Sequence, residues 1–249
     1  MSRGRPQEAL GGPAGDERAA PAGPIWARPA KEERTRPTRG TIVAAAIRLA
    51  DDEGLDAVSI RRVAAALETR PMGLYSHFDR KDDLIDLMID EVLAEALLDE
   101  VPTHWREALS ALAHALRGAC LAHPWLVTAA GRRPQIGPNV IRQLEQALAA
   151  TAGLDIERTK RLAVVRAVNT YAMGHAQLGV AEARESPDQH WRTAADAYLQ
   201  QLVRSGDFPH LAAFGTQGVI HEAPEDCSFE TGLDWLLAGI AAEIGDAPA

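Results

Sequence analysis

Between Arg70 and Leu84 the chain reads RPMGLYSHFDRKDDL. This short stretch gathers a guanidinium, a backbone position without a side chain, a phenol, a hydroxyl, an imidazole and, at Lys81, an ammonium. Leu74 and Phe78 stand four apart and are expected to share a core-facing side. That leaves Arg70, Met72, Gly73, Ser76 and His77 on the other side or its flanks, where they suit the reading of bases. Arginine is the commonest reader of guanine, and a methionine suits a thymine methyl. Gly73 lets the backbone come close to bases. Ser76 can donate to or accept from a base edge or a phosphate. Tyr75 and His77 suit phosphate oxygens, which fix register rather than sequence. The competing reading packs Tyr75 and His77 against a neighbouring helix.

The surrounding pattern supplies elements to hold this stretch. Ile42, Ala46, Leu49 and Ala50 fall on one helical face that Gly54 ends. Ser59 suits the N-cap of a second short helix with an apolar stripe of Ile60, Val63, Ala64 and Leu67. After a break at Glu68-Thr69, Pro71 sits in the first turn of a third helix, where its missing N–H costs nothing. A longer fourth helix follows Asp79-Arg80, with Asp82 and Asp83 at its positive end and Leu84, Leu87, Met88 and Val92 as its stripe. Three short helices with a tight break between the second and third are the layout of a helix-turn-helix, whose third helix lies in the major groove.

Bulk properties agree with a helical, non-membrane chain. It has 249 residues, of which 46% are hydrophobic and 5% aromatic, with abundant Ala and Leu and few β-branched runs. No stretch approaches about 18 uncharged apolar residues, and the N-terminus has no apolar signal core. The net charge of −9 is unevenly spread. Through Lys81 there are 14 Lys and Arg against 11 Asp and Glu; beyond it there are 12 against 24. A positive N-terminal part joined to an acidic remainder suggests that one end meets a polyanion. Cys120 and Cys227 have no metal or disulfide spacing and read as small fillers. Residues 1–35, rich in Gly, Pro, Ala and charge, are expected to be a disordered tail. Its charged end, Arg28 to Arg39, is either a basic arm along DNA backbone or a solvated tail. Further helices are expected at 103–122, 125–130, 138–151, 155–184, from Ser186-Pro187 to about Arg204, and from Ser228 to Glu243, with 205–227 irregular.

The segments TIVAAAIRLADDEGLDAVSIRRVAAAL and RPMGLYSHFDRKDDLIDLMIDEVL resemble the DNA-binding domain of TetR-family transcriptional regulators. The pattern Leu-Tyr-x-His-Phe followed by Lys81-x-x-Leu84 carries the likeness. HPWLVTAAGRRPQIGPNVIRQLEQAL and FETGLDWLLAGI resemble the C-terminal part of the subfamily nearest the tetracycline repressor. The resemblance implies an all-α fold: a helix-turn-helix DNA-binding domain at 36–100, joined by a long helix to a ligand-binding and dimerisation domain at 101–249. It implies that Arg61 contacts DNA, that Pro71, Met72, Gly73, Tyr75, Ser76 and His77 form the recognition helix, and that Lys81 contacts the backbone. Two positions depart from the family. Glu68 stands where a left-handed glycine is usual. Arg70 replaces a capping serine, so that Thr69 substitutes as the cap or Arg70 itself reaches a guanine or phosphate.

A single helix-turn-helix reads few base pairs, so a homodimer on a pseudo-palindromic double-stranded operator is expected. The small residues Ala172, Ala176, Gly179 and Ala183 make a narrow stripe suited to close helix approach at a dimer interface, or to ordinary packing within the chain. A neighbouring stripe, Asn169, Met173, Gln177 and Val180, suits a pocket for a small organic effector, with Trp105, Trp125 and Leu126 as apolar walls. His123 before Pro124 and His175 read as structural. Tetracycline-binding members use magnesium with the drug, but no ligand set matches here, so neither metal nor cofactor is expected.

Enzyme motifs are missing. GHAQLG lacks the Lys-Ser/Thr of a phosphate loop, and there is no Gly-x-Ser-x-Gly or His-Glu-x-x-His. The expected function is a ligand-responsive transcriptional regulator, usually a repressor. An activator of the same family and a helical adaptor whose helix-turn-helix meets protein are the alternatives. Arginine is used far more than lysine, which points to a GC-rich genome and the bacterial cytoplasm.

Overall fold

Side-chain caps open the first two helices where Thr and Ser stand. The computed structural model describes residues 23–28, 37–131, 133–184, 188–215 and 228–244. Thr38 Oγ1 accepts the Thr41 N–H at 3.3 Å and starts α1 (Arg39–Glu53), which Gly54 closes at φ 85°. Ser59 Oγ accepts the Arg62 N–H at 3.2 Å and starts α2 (Ile60–Ala66). The chain then turns left-handed at Glu68, with φ 51°. A side chain held there costs roughly 1 kcal/mol relative to the glycine usual in the family. α3 (Pro71–Leu74) has proline in its first turn and no side-chain cap, so Thr69 does not replace the missing serine. Tyr75 to His77 continue α3 as a turn, the His77 N–H donating to the Leu74 carbonyl at 2.9 Å.

α4 (Lys81–Leu93) starts at a corner held by one carboxylate. Asp83 accepts the backbone N–H groups of Asp79 and Arg80, each at 3.2 Å. Ile42, Ala46, Val63, Leu74, Phe78, Leu84 and Met88 are all buried, so the helical stripes of α1 to α4 close on a shared core.

The expected disordered tail needs a correction. Residues 25–27 form a 3-10 turn, Ile25 is buried in the core, and Trp26 packs on it. Two apolar side chains and an arginine anchored on acids give this piece enough contact to order.

Seven further helices follow among the described residues: α5 (Trp105–Ala122), α6 (Trp125–Ala130), α7 (Pro138–Ala150), α8 (Arg158–Arg184), α9 (Gln189–Ser205), α10 (Pro209–Phe214) and α11 (Phe229–Ile244). No strand occurs among those residues, and the fold is all-α. α5 packs along α8, and α7 and α11 join them. Ser186 and Pro187 lie outside the described residues; α9 is capped by Asp188, which accepts the Trp191 N–H at 2.7 Å. Residues 205–227, expected to be irregular, include α10, opened by Pro209.

The small-residue stripe of α8 is used within the chain. Ala172 and Ala176 are fully buried, and a β-carbon on Gly179 would lie 3.4 Å from Leu121 of α5. Ala172 and Ala176, fully buried within the chain, therefore do not offer a dimer surface, whereas Gly179 is only half-buried. The side chain of Ala183 lies outside the described residues. The outward faces of α8 and α11 carry a different set: Leu162, Gly174, Leu178 and Ala181 on α8, and Trp235, Ala238, Gly239 and Ala242 on α11.

Candidate DNA interface and regulatory core

α3 divides its side chains sharply. Leu74 and Phe78 are buried, while Arg70, Pro71, Met72, Gly73, Tyr75 and Ser76 are exposed. Met72 is 78% exposed and Tyr75 44%, so both stand at the surface. A β-carbon at Gly73 would meet only Thr69 Oγ1, at an ordinary 3.8 Å. The fold itself therefore does not require glycine at 73. Ser76 Oγ donates to the Gly73 carbonyl at 2.7 Å, which leaves its lone pairs available to a donor.

Cations flank this surface. Arg61, Arg70 and Lys81 are exposed and form no ion pair among the described residues, whereas neighbouring Arg62 is paired with Glu53. His77 departs from expectation. It is only 4% exposed, and its carbonyl accepts a hydrogen bond from Arg39 Nη2 at 3.4 Å. Three residues beyond Leu74 and one before Phe78, its side chain falls on the inner face. Packing, rather than phosphate contact, is the role of that imidazole. The spacing from Leu74 was the available signal.

Towards the C-terminus, Trp105, Trp125 and Leu126 of the expected pocket lie in one buried core against which Met173 packs. Trp125 and Leu126 are buried, and Trp125 Nε1 donates to Asp51 at the end of α1 at 2.7 Å. Trp125 walls a hollow of about 580 Å³ with Asp51 to Asp56 and Thr128. Trp105 walls a separate hollow of about 500 Å³ beside Gly153, Leu154 and Ile244. Asn169 and Met173 are half-buried on α8, whereas Gln177 is exposed and points away from the core. Gln177 is therefore not an internal pocket residue, because its position on the helix falls outside the buried arc of Val165, Val168, Ala172 and Ala176. His175 is half-buried, its ring edge-on to buried Phe229 at 5.2 Å.

Sequence reasoning missed a buried amide. Gln143 of α7 is 7% exposed, and its sealed Nε2 has no hydrogen-bond partner among the described residues. An unmatched buried donor is costly and asks for an acceptor. Its position between Val140 and Ala147 on one helical face was a readable signal.

The C-terminal half grips α4 and α1 through polar contacts. Arg133 Nε donates to Asp86 at 2.8 Å and its Nη2 to the Asp82 carbonyl at 2.6 Å. Asp90 accepts the backbone N–H groups of Asn139 and Val140 at 2.9 and 3.2 Å, capping α7. A β-carbon on Gly137 would overlap Asp90, so this contact requires glycine. Burial raises the Asp90 pKa against the lowering effect of those backbone bonds and of Arg142. Asp82, Asp86 and Asp90 recur every four residues, a pattern that marks this face of α4. His123 places Nδ1 at 2.8 Å from Asp51 and Nε2 at 3.3 Å from Glu95, so it bridges the ends of α1 and α4. Cys120 is buried, and desolvation pushes its thiol up to about 11, consistent with a filler. Cys227 lies outside the described residues.

Comparisons with known proteins agree with this geometry. Residues 42–88 match the family model "Bacterial regulatory proteins, tetR family", and residues 99–244 match "Tetracyclin repressor-like, C-terminal domain". An HTH-type transcriptional regulator of Saccharopolyspora erythraea is 35% identical over 90% of this chain and 93% of its own length. The HTH-type transcriptional repressor DrrR1 of Streptomyces coeruleorubidus is 31% identical over 86% of this chain and 80% of its own. The crystal structure of ActR from Streptomyces coelicolor in complex with actinorhodin superposes with a TM-score of 0.71 at 30% identity, covering 84% of this chain and 98% of that one. The chain belongs to the TetR family of bacterial transcriptional regulators.

Proposed function

We propose that this chain is a homodimeric, non-catalytic repressor in the bacterial cytoplasm, released from a pseudo-palindromic operator by a small organic effector. The observation that carries the DNA reading is the split of α3: Leu74 and Phe78 buried, Met72 and Tyr75 exposed between unpaired Arg61, Arg70 and Lys81. In this reading Met72, Gly73 and Arg70 meet base edges, while Tyr75, Ser76, Arg61 and Lys81 fix the backbone. Pro71 sets the start of the helix, and the sign of regulation follows the named repressor among the relatives.

The dimer reading rests on the outward faces of α8 and α11, where small residues alternate with exposed Leu178 and Trp235. Closely approaching helices would bury both. The effector reading rests on Gln143, whose unmatched N–H suits a carbonyl or phenol oxygen inside an apolar site. ActR has been crystallised in complex with actinorhodin and with (S)-DNPA. An effector beside Gln143 would act on α7, and through Asp90 and Arg133 on α4, which leads directly back to α3. Effector and operator would then oppose each other reciprocally, typically by about 1–3 kcal/mol.

Selection of the purified dimer against random duplex DNA, followed by sequencing, tests the reading. A recovered pseudo-palindrome with half-sites about one helical turn apart supports it. No enrichment at low salt from an intact, effector-free dimer would instead favour the adaptor function.

A further inference from the structure

Arg28 lies outside both matched family regions, yet it is built into the corner that follows the recognition helix. Its Nη1 donates to Asp83 at 2.8 Å and to Asp79 at 3.2 Å. Its Nη2 donates to the other oxygen of Asp83 at 3.0 Å and to the Gly23 carbonyl at 2.7 Å. Its Nε donates to that same carbonyl at 3.2 Å. A guanidinium has five N–H donors, and these five contacts use all of them. None is left for a DNA phosphate, which corrects the notion of Arg28 as part of a phosphate-following arm.

Asp83, in turn, is almost fully buried and holds the N–H groups of Asp79 and Arg80, the residues that link α3 to α4. Burial alone would raise its pKa, but the bonds from Arg28 and the two backbone groups outweigh burial and leave it below the usual carboxylate range. α3 is only four residues long, too short to hold its own shape, so its orientation depends on its two ends. At the far end the cap is missing. The near end is the Asp83 corner, which Arg28 closes while Ile25 and Trp26 seat the segment on the core. Arg28 also neutralises two carboxylates beside a surface meant for a polyanion.

We infer that Gly23–Arg28 is a working part of the DNA-reading unit, with Arg28 a positioning residue that orients the recognition helix through Asp83 without touching DNA. This rests on the operator-binding reading above. A phosphate contact and a positioning contact differ in salt dependence. Loss of one phosphate contact lowers the slope of log affinity against log salt by about 1 and weakens all DNA alike. Loss of positioning leaves the slope and falls mainly on the specific site.

The test uses the full-length protein, its selected operator and an unrelated duplex, across a salt series, for wild type, Arg28→Ala and Arg28→Lys, with thermal melting of each. The expected result for Arg28→Ala is an operator affinity lower by about tenfold, a smaller loss on unrelated DNA and an unchanged slope. Arg28→Lys keeps the charge but not the two-pronged geometry, and is expected to recover only part of the loss; it also serves if the alanine variant does not fold. Equal losses on both duplexes with a slope lower by about 1 would overturn the inference in favour of phosphate contact. A lower melting temperature with an unchanged ratio of specific to unrelated affinity would overturn it in favour of plain stability. Wild type that binds its operator while both variants bind equally well removes this inference alone; wild type that binds no duplex removes the operator reading with it.

Discussion

Exposed apolar side chains occur at both ends of this molecule, in different company. At α3, Met72 and Tyr75 stand among unpaired cations, beside a glycine that the fold does not require. At the other end, Trp191 and Tyr198 of α9, Phe214 of α10 and Trp235 of α11 are exposed, and α9 buries none of its residues. One turn beyond Trp235 stand exposed Ala238 and Gly239, and the cation beside it, Arg106, donates to the Asp234 carbonyl at 3.4 Å. The groups around the exposed apolar side chains distinguish the two ends. Free cations suit phosphate, and small residues suit another helix.

That contrast can be broken at either end. The largest effect is expected from Trp235→Glu, which places a charge on the outward face of α11. Sedimentation should show a shift from dimer to monomer, with operator affinity falling by about 100-fold or more as the second half-site is lost. A dimer that survives this change would put the contact elsewhere. Tyr75→Ala should lower operator affinity by about tenfold or more while sedimentation stays that of wild type. Arg61→Ala should cost less, and its signature in a binding titration is a salt slope lower by about 1.

Gln143→Leu sharpens the comparison from inside. Replacing an unmatched buried amide with an apolar side chain of similar size should leave melting temperature unchanged or raise it by a few degrees. Operator affinity should hold, while release by effectors weakens. A marked fall in melting temperature would mean that the amide has a structural partner.

The smallest effect concerns acid stability. Asp83 has a depressed pKa in the fold, so its contribution is present above its unfolded value and is lost as pH falls through the lower folded value. Asp83→Asn should therefore flatten the stability profile in the region below the ordinary carboxylate pKa and shift it little near neutrality beyond a constant loss. Denaturant melts at several pH values would show it.

Much of this was legible in the residues, for identifiable reasons. The α3 stretch was readable because Leu74 and Phe78 at helical spacing set one side inward, and Thr38, Ser59 and Pro71 mark starts by local chemistry. His77 was misread because residue type was weighed above its place three residues after Leu74. The α8 stripe was recognised as a close-packing face, but its partner was not, since small residues admit a helix of the same chain or of another equally well. Gln177 and the two tryptophans were grouped by character, and only the fold shows that Trp105 and Trp125 border different hollows. Arg28 could not have been paired with Asp83 from sequence, because the contact spans 55 positions and a Gly- and Pro-rich surrounding gives no periodicity.

The central claim is that the exposed side of α3 reads DNA. It is tested most directly by titrating the selected operator across a salt series with wild type, Tyr75→Ala and Arg61→Ala, all checked as folded dimers. The account predicts steep salt dependence for wild type, a large affinity loss for Tyr75→Ala, and a slope reduced by about 1 for Arg61→Ala. Binding that is insensitive to salt, or indifferent to both substitutions, would contradict it and place the DNA contact, if any, on another face.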